Sequence, residues 1–93
     1  MKPAVAVVGA SPKESRYSNM AAKELLGRGY EMIPIRPGLD GLLGAKAYAT
    51  LDEARDAGRT IDTVTMYVGP EASQGMSEAL IRLQPRRVIF NPG

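Results

Sequence analysis

Residues 4–11, AVAVVGAS, set the terms on which this 93-residue chain can fold. Five consecutive apolar residues suit a short strand buried on both faces, as in a parallel sheet. Gly9 is where such a strand can bend sharply. A strand, a glycine turn and then a helix make the phosphate-binding turn of dinucleotide enzymes, with the spacing G-x-G-x-x-G. Here the second and third glycine positions carry Ser11 and Glu14. The altered turn poses the question of which phosphate-bearing ligand it suits.

The rest of the chain follows the same rhythm. Residues 18–29, SNMAAKELLGRG, read as a helix with Ser18 as N-cap. Ala21, Ala22, Leu25 and Leu26 share a face, and Gly27 or Gly29 supplies the stop. YEMIPIR, 30–36, is a second strand, and Pro34 places it at or near an edge because proline cannot donate to a ladder. A glycine-rich loop at 37–48 includes a short strand at 46–49. Thr50 and Glu53 make a capping box for a short helix ending at Gly58. IDTVTMYV, 61–68, is another strand. Gly69 and Pro70 break it, and Ala72, Met76, Ala79, Leu80 and Leu83 then recur at helical spacing. Residues 86–90 form a last strand. Met20, Met32, Met66 and Met76 fall on core-facing positions. This order predicts a Rossmann-like α/β fold, an open and mainly parallel sheet of four or five strands with helices on both faces.

Bulk properties bound the function. One small domain spans 1–93, with no internal repeat or linker. Hydrophobic residues at 44% and charged residues at 24% are ordinary for a globular chain. The formal charge of +2 comes from scattered basic residues, which argues against a nucleic-acid tail or a membrane patch. The N-terminal apolar run is too short to span a bilayer. With no cysteine there is no disulfide framework, which suits the cytoplasm. Histidine is also absent, so the commonest general base and the thiol nucleophile are both missing. The closing strand has nothing left to cover it, which implies either a partner, such as a second copy, or a chain lacking a C-terminal helix and strand.

In open α/β sheets ligands bind outside the carboxyl ends of the strands. Those ends carry four Gly/Pro turns: Gly9, Ala10, Ser11, Pro12 and Lys13; Arg36, Pro37 and Gly38; Val68, Gly69 and Pro70; Asn91, Pro92 and Gly93. Ser11 adds a hydroxyl where a dinucleotide enzyme wants bare backbone. Lys13 and Arg16 read either as anion ligands beside a helix N-terminus or as a solvated loop. The second strand discriminates further. An acidic residue near its end would bond a ribose hydroxyl, whereas an arginine suits a phosphorylated ribose. The residue here is Arg36, so plain NAD is disfavoured and NADP or coenzyme A is preferred.

At this point the chain resembles a known family. VVGASPKESRYS, IPIRPGLDGLLGAKAY, MYVGPE and VIFNPG look like the small CoA-binding domain proteins, whose fold is similar to the N-terminal domain of the succinyl-CoA synthetase α-subunit. The resemblance covers nearly the whole chain. It implies that Gly9, Ala10, Ser11, Lys13 and Ser18 face the phosphates, and that Arg36 and Pro37 lie by the adenosine or its ribose phosphate. Val68, Gly69 and Pro70 would flank the adenine or pantetheine, and Asn91, Pro92 and Gly93 would border the pantetheine arm. Members typically continue through another helix and strand, many with a cysteine there, and this chain has neither. The ligase's phosphorylated histidine lies in another domain.

Magnitudes separate the readings. Two charged bonds to phosphate contribute roughly 1.5–3 kcal/mol each, and a helix N-terminus about 0.3–1 more. A micromolar complex needs about 8 kcal/mol, so apolar contacts near Ile35, Pro37 and Val68 are expected to supply the remainder. For catalysis the candidates are Tyr17, Tyr67, Ser11 and Lys13, but the Y-x-x-x-K spacing of short-chain reductases is absent. Tyr17, expected in a loop, suits packing or ribose stacking better than proton transfer. No His/Cys/Asp/Glu cluster has metal-ligand spacing. Three readings remain: a non-catalytic module for CoA or an acyl-CoA, an NADP-type subunit of an oxidoreductase, and an interaction scaffold with an empty groove.

Overall fold

Residues 4–8 form strand β1 (Ala4–Val8), and all five are buried. The computed structural model of the chain describes residues 3–91. After β1 come α1 (Tyr17–Gly27), β2 (Glu31–Ile35), a two-stranded antiparallel hairpin of β3 (Gly41–Leu42) and β4 (Ala45–Lys46), and α2 (Leu51–Asp56). The remaining elements are β5 (Thr63–Met66), α3 (Pro70–Gly75), α4 (Ser77–Leu83) and β6 (Arg87–Phe90). The main sheet has four parallel strands in the order β2-β1-β5-β6. Strand order therefore reverses at β1, where one connection runs outward to β2 and the others run toward β6.

The period-two alternation of β1 explains both faces. Ala4, Ala6 and Val8 join Ile33, Ile35, Val64 and Met66 in a core closed by Leu51 and Ala54 of α2 and flanked by Leu80 and Leu83 of α4. Val7 points the other way, to Ala22 of α1, Met32 and Leu42 of the hairpin. Helices thus cover both faces, as expected. On the first of these faces Arg82 of α4 reaches α2, donating to both carboxylate oxygens of Asp52 at 3.1 and 2.6 Å. That bonding holds the Asp52 carboxyl below the usual carboxylate range.

The edge role of β2 is visible in its hydrogen bonds. The carbonyl of Pro34 accepts from Tyr48 N–H at 3.0 Å on the outer side, so the missing N–H of proline also faces outward. Thr50 caps α2 through its Oγ1, which accepts from Glu53 N–H at 3.1 Å, while Glu53 Oε2 accepts from Ala49 N–H at 2.9 Å. At the opposite edge, Phe90 of β6 is 65% exposed.

Several expectations are corrected. The N-cap of α1 is Arg16, whose side chain makes no capping bond, and Ser18 lies buried inside the first turn. The helical run after Gly69 is two short helices, broken at Met76, where backbone bonding restarts. The strand expected at 46–49 is the shorter β4, followed by a single bridge from Tyr48 to Ile35. Met20 is 50% exposed and Leu26 lies at the surface, because Ala22 and Leu25 form the inner stripe of α1.

The parallel registers align Val8, Ile35, Met66 and Phe90 in one row at the carboxyl edge. Gly9 is the first residue past that row. Its φ is +86°, and a Cβ there would stand 2.7 Å from the Tyr67 carbonyl oxygen and 3.1 Å from Val68 Cγ1. Only glycine satisfies both conditions. Gly9→Ala should therefore lower the unfolding free energy by about 2–4 kcal/mol, through left-handed strain plus a backbone clash. Gly27→Ala, at the end of α1 with open space around it, should raise stability by about 0.5–1 kcal/mol. Urea denaturation of the three proteins checks both, and a Gly9→Ala protein as stable as the native one would contradict the packing argument.

Candidate functional site

Just past the aligned strand ends, the turn of residues 9–16 and the segment after β2 enclose a groove of about 750 Å³. One wall is the first turn of α1 with the loop before it, contributing Ser11, Lys13, Arg16, Tyr17 and Ser18. The other is Arg36, Pro37, Gly38 and Leu39, and Tyr67, just past β5, also lines the groove. The groove sits at the switch point of the sheet, where such folds place ligands.

The turn that forms the first wall is held from inside. Ser11 is buried, and its Oγ accepts from Lys13 N–H at 3.1 Å, a side-chain turn that fixes the loop's direction. Its carbonyl accepts from Asn19 Nδ2 at 2.9 Å. Asn19 is itself buried in α1, so this bond locks the loop to the helix. The Oδ1 of the same amide is buried and takes no hydrogen bond among the described residues. With the loop anchored, the first turn of α1 faces the groove. The N–H groups of Asn19 and Met20 return to the Arg16 carbonyl, whereas those of Tyr17 and Ser18 have no acceptor among the described residues. They remain available to an anion, as at other helix N-termini.

Arg36 closes the site from the second wall. Its Nη1 donates to the Ala10 carbonyl at 3.3 Å, across 26 positions of sequence. The guanidinium is thereby held over the opening turn. Lys13, Arg16 and Arg36 all line the groove, and among the described residues no carboxylate does. None of the three takes an ion-pair partner among the described residues, whereas Arg28, Arg55, Arg59 and Arg82 do. The only acid in the loop, Glu14, pairs outward with Lys23 at 3.3 Å. Three uncompensated cations around one concavity give it a positive field complementary to a multiply charged anion.

Of the residues singled out from sequence, the structure brings Gly9, Ser11, Lys13, Arg16, Ser18, Arg36 and Pro37 to this groove. Ala10 lies buried beneath it, offering only its carbonyl to Arg36. Val68 packs against the core on the α2 side, and Gly69 is the N-cap of α3. Neither lines the groove. The backbone of Pro70 opens α3. The Asn91 amide is committed to Thr65 Oγ1 at 2.8 Å and the Met66 carbonyl at 2.9 Å. Pro92 and Gly93 lie outside the described residues. Ile35 is fully buried, so the apolar surface of the groove comes from Pro37, Leu39, Tyr17 and Tyr67 instead. Leu39 and Asn19 escape a reading of the sequence. Leu39 sits in a glycine-rich loop with no periodicity, and nothing in the local pattern sets Asn19 apart from any other polar helix residue.

Among the described residues no group of three or more His, Cys, Asp or Glu could hold a metal ion. No helix there is long and apolar enough to cross a membrane.

Comparison with known proteins bears on this groove. The family described as CoA binding domain matches residues 3–93. An uncharacterized protein of Bacillus subtilis, YneT, is 36% identical over 77 residues, which is 83% of this chain and 55% of that protein. The chain thus spans about half the length of the curated relative it matches. A conserved hypothetical protein from Pyrococcus furiosus superposes with a TM-score of 0.84 at 27% identity, covering 98% of this chain and 76% of that one. A hypothetical protein from Pyrococcus horikoshii gives 0.80 at 33% identity, covering 90% and 57%.

The Asn19 amide is the internal fastener of the site. Asn19→Ala leaves the Ser11 carbonyl unpaired and should cost about 1–3 kcal/mol in urea denaturation. Asn19→Asp should cost at least as much at neutral pH, because a carboxylate cannot donate to that carbonyl. If both variants unfold like the native protein, the bond does not hold the turn.

Proposed function

The chain belongs to the CoA-binding domain family, and from that premise we propose that it binds coenzyme A or an acyl-CoA in the groove at its strand ends. The observation that carries the reading is the placement of Arg36. Its guanidinium sits over the same turn that presents Lys13, Arg16 and two free helix N–H groups, with no carboxylate in the lining. A ligand that carries two separate phosphate centres matches that arrangement. The pyrophosphate lies against the first turn of α1, contacted by Lys13, Arg16 and the Tyr17 and Ser18 amides. Arg36 bonds the ribose phosphate, and the planar fork of a guanidinium suits that oxyanion better than an ammonium would.

An NADP-type ligand shares the ribose phosphate, so Arg36 alone does not exclude it. Ser11 favours the CoA reading. It stands where a dinucleotide turn has its second glycine, and it is buried with its hydroxyl engaged by Lys13 N–H. The Ser11 side chain stands where a dinucleotide's pyrophosphate would approach bare backbone, whereas the CoA pyrophosphate in this reading lies against the first turn of α1 instead. The reading is one of binding: the chain has no histidine or cysteine, and among the described residues no aspartate or glutamate lines the groove beside its tyrosines and lysine.

Thermal shift separates these ligands. CoA should raise the melting temperature more than NADPH or ATP at the same concentration, and equal shifts from all three would reduce the site to a generic nucleotide groove. Arg36→Ala should weaken CoA about tenfold, the scale of one charged hydrogen bond. It should leave dephospho-CoA nearly unchanged, since that ligand lacks the ribose phosphate. Equal losses for both would remove Arg36 from this role.

A further inference from the structure

Tyr17 is a large aromatic residue that stabilises nothing in the fold. It is 75% exposed at the first position of α1, stands outside both hydrophobic cores, and its side chain makes no hydrogen bond among the described residues. A packing role is therefore ruled out, yet the residue lines the groove. Two other tyrosines are committed elsewhere. Tyr48 is flanked by Lys46 at 5.4 Å and Arg59 at 5.7 Å from its ring centre. Tyr67 is half-buried against the Val7 core while also lining the groove.

The neighbours of Tyr17 indicate what its ring faces. Lys13 and Arg16 stand on the same wall, and Pro37 and Leu39 form an apolar wall across from it. A nucleotide has a flat, weakly hydrated base one sugar away from its phosphates. An open aromatic ring beside phosphate-binding cations, opposite an apolar wall, is complementary to that pattern. Every base has a π face, so an aromatic ring offers a stacking platform without needing matched hydrogen bonds.

We propose that Tyr17 is the platform on which the adenine ring of the bound ligand stacks. The inference rests on the CoA-binding reading and extends it: the site recognises the base as well as the phosphates. It also supplies part of the affinity that the charged contacts leave wanting.

The test is calorimetric titration of CoA into the native chain, Tyr17→Ala and Tyr17→Phe, each at low and high salt. Because Tyr17 is exposed, both variants should melt at the native temperature. Tyr17→Ala should bind CoA about tenfold more weakly, the scale of one lost base-stacking contact. Stacking carries no net charge, so that factor should be the same at both salt concentrations, whereas the loss in Lys13→Ala should shrink as salt rises. Tyr17→Phe keeps the ring and should bind like the native protein. Native affinity in Tyr17→Ala would overturn the platform while leaving the CoA reading intact. A loss in Tyr17→Phe as large as in Tyr17→Ala would also overturn it, since the hydroxyl rather than the ring would then be the contact. A native chain that binds no CoA would overturn both.

Discussion

The close passage of the opening turn over the end of β5 is the constraint on which the site depends. At Gly9 the chain leaves β1 with a positive φ and passes so near the Tyr67 carbonyl that a single added carbon has no room. The hydrogen bonds on either side fix this path: Gly9 N–H donates to the Ile35 carbonyl at 3.0 Å and Tyr67 N–H to the Val8 carbonyl at 2.8 Å. Because three adjacent strands end in register, the loops that follow them start from one line. The groove is a consequence of that alignment. Its walls are the two chains that leave β1 and β2 in different directions.

Charge placement gives the groove its character. A net charge of +2 says little about where charge acts in a 93-residue chain, since Lys23, Arg28, Arg55, Arg59, Arg82 and Arg86 are each paired with an acid. What distinguishes this groove is that three cations without ion-pair partners among the described residues gather around it. Glu14, the acid closest in sequence to Lys13 and Arg16, is turned outward to Lys23, and Arg36 bonds a carbonyl rather than a carboxylate. A carbonyl orients the guanidinium without neutralising it. The full charge stays available to an incoming anion, and its positioning is settled before the ligand arrives. Preorganisation of this kind lowers the ordering cost of binding.

Much of this is legible in the sequence, for identifiable reasons. The apolar run of β1 is diagnostic of a doubly buried strand, and Pro34 marks an edge correctly because a missing N–H leaves few alternatives. Thr50 and Glu53 are readable because a capping box depends on neighbours in the chain. The mistakes fall where distant contacts decide. Ser18 has the residue type of an N-cap, but the Asn19 bond to the Ser11 carbonyl draws the chain into helix two residues earlier. Val68 ends an apolar run and so suggests a groove residue, yet its side chain packs against the core on the α2 side. Leu39 and the exposed ring of Tyr17 carry no periodic signal at all. Their positions follow from how two loops face each other, which a linear pattern does not encode.

The central claim is that one turn, one helix end and one guanidinium act together on a phosphorylated adenosine. A titration of the isotope-labelled chain with adenosine 3′,5′-bisphosphate, followed by amide and arginine side-chain resonances, tests it most directly. The account predicts saturable shifts confined to the backbone amides of Ser11, Lys13, Tyr17 and Ser18 and the Arg36 guanidinium, with α2 and α4 silent. Shifts centred on the α2–α4 face, or an Arg36 side chain that does not respond while the amides do, would contradict it.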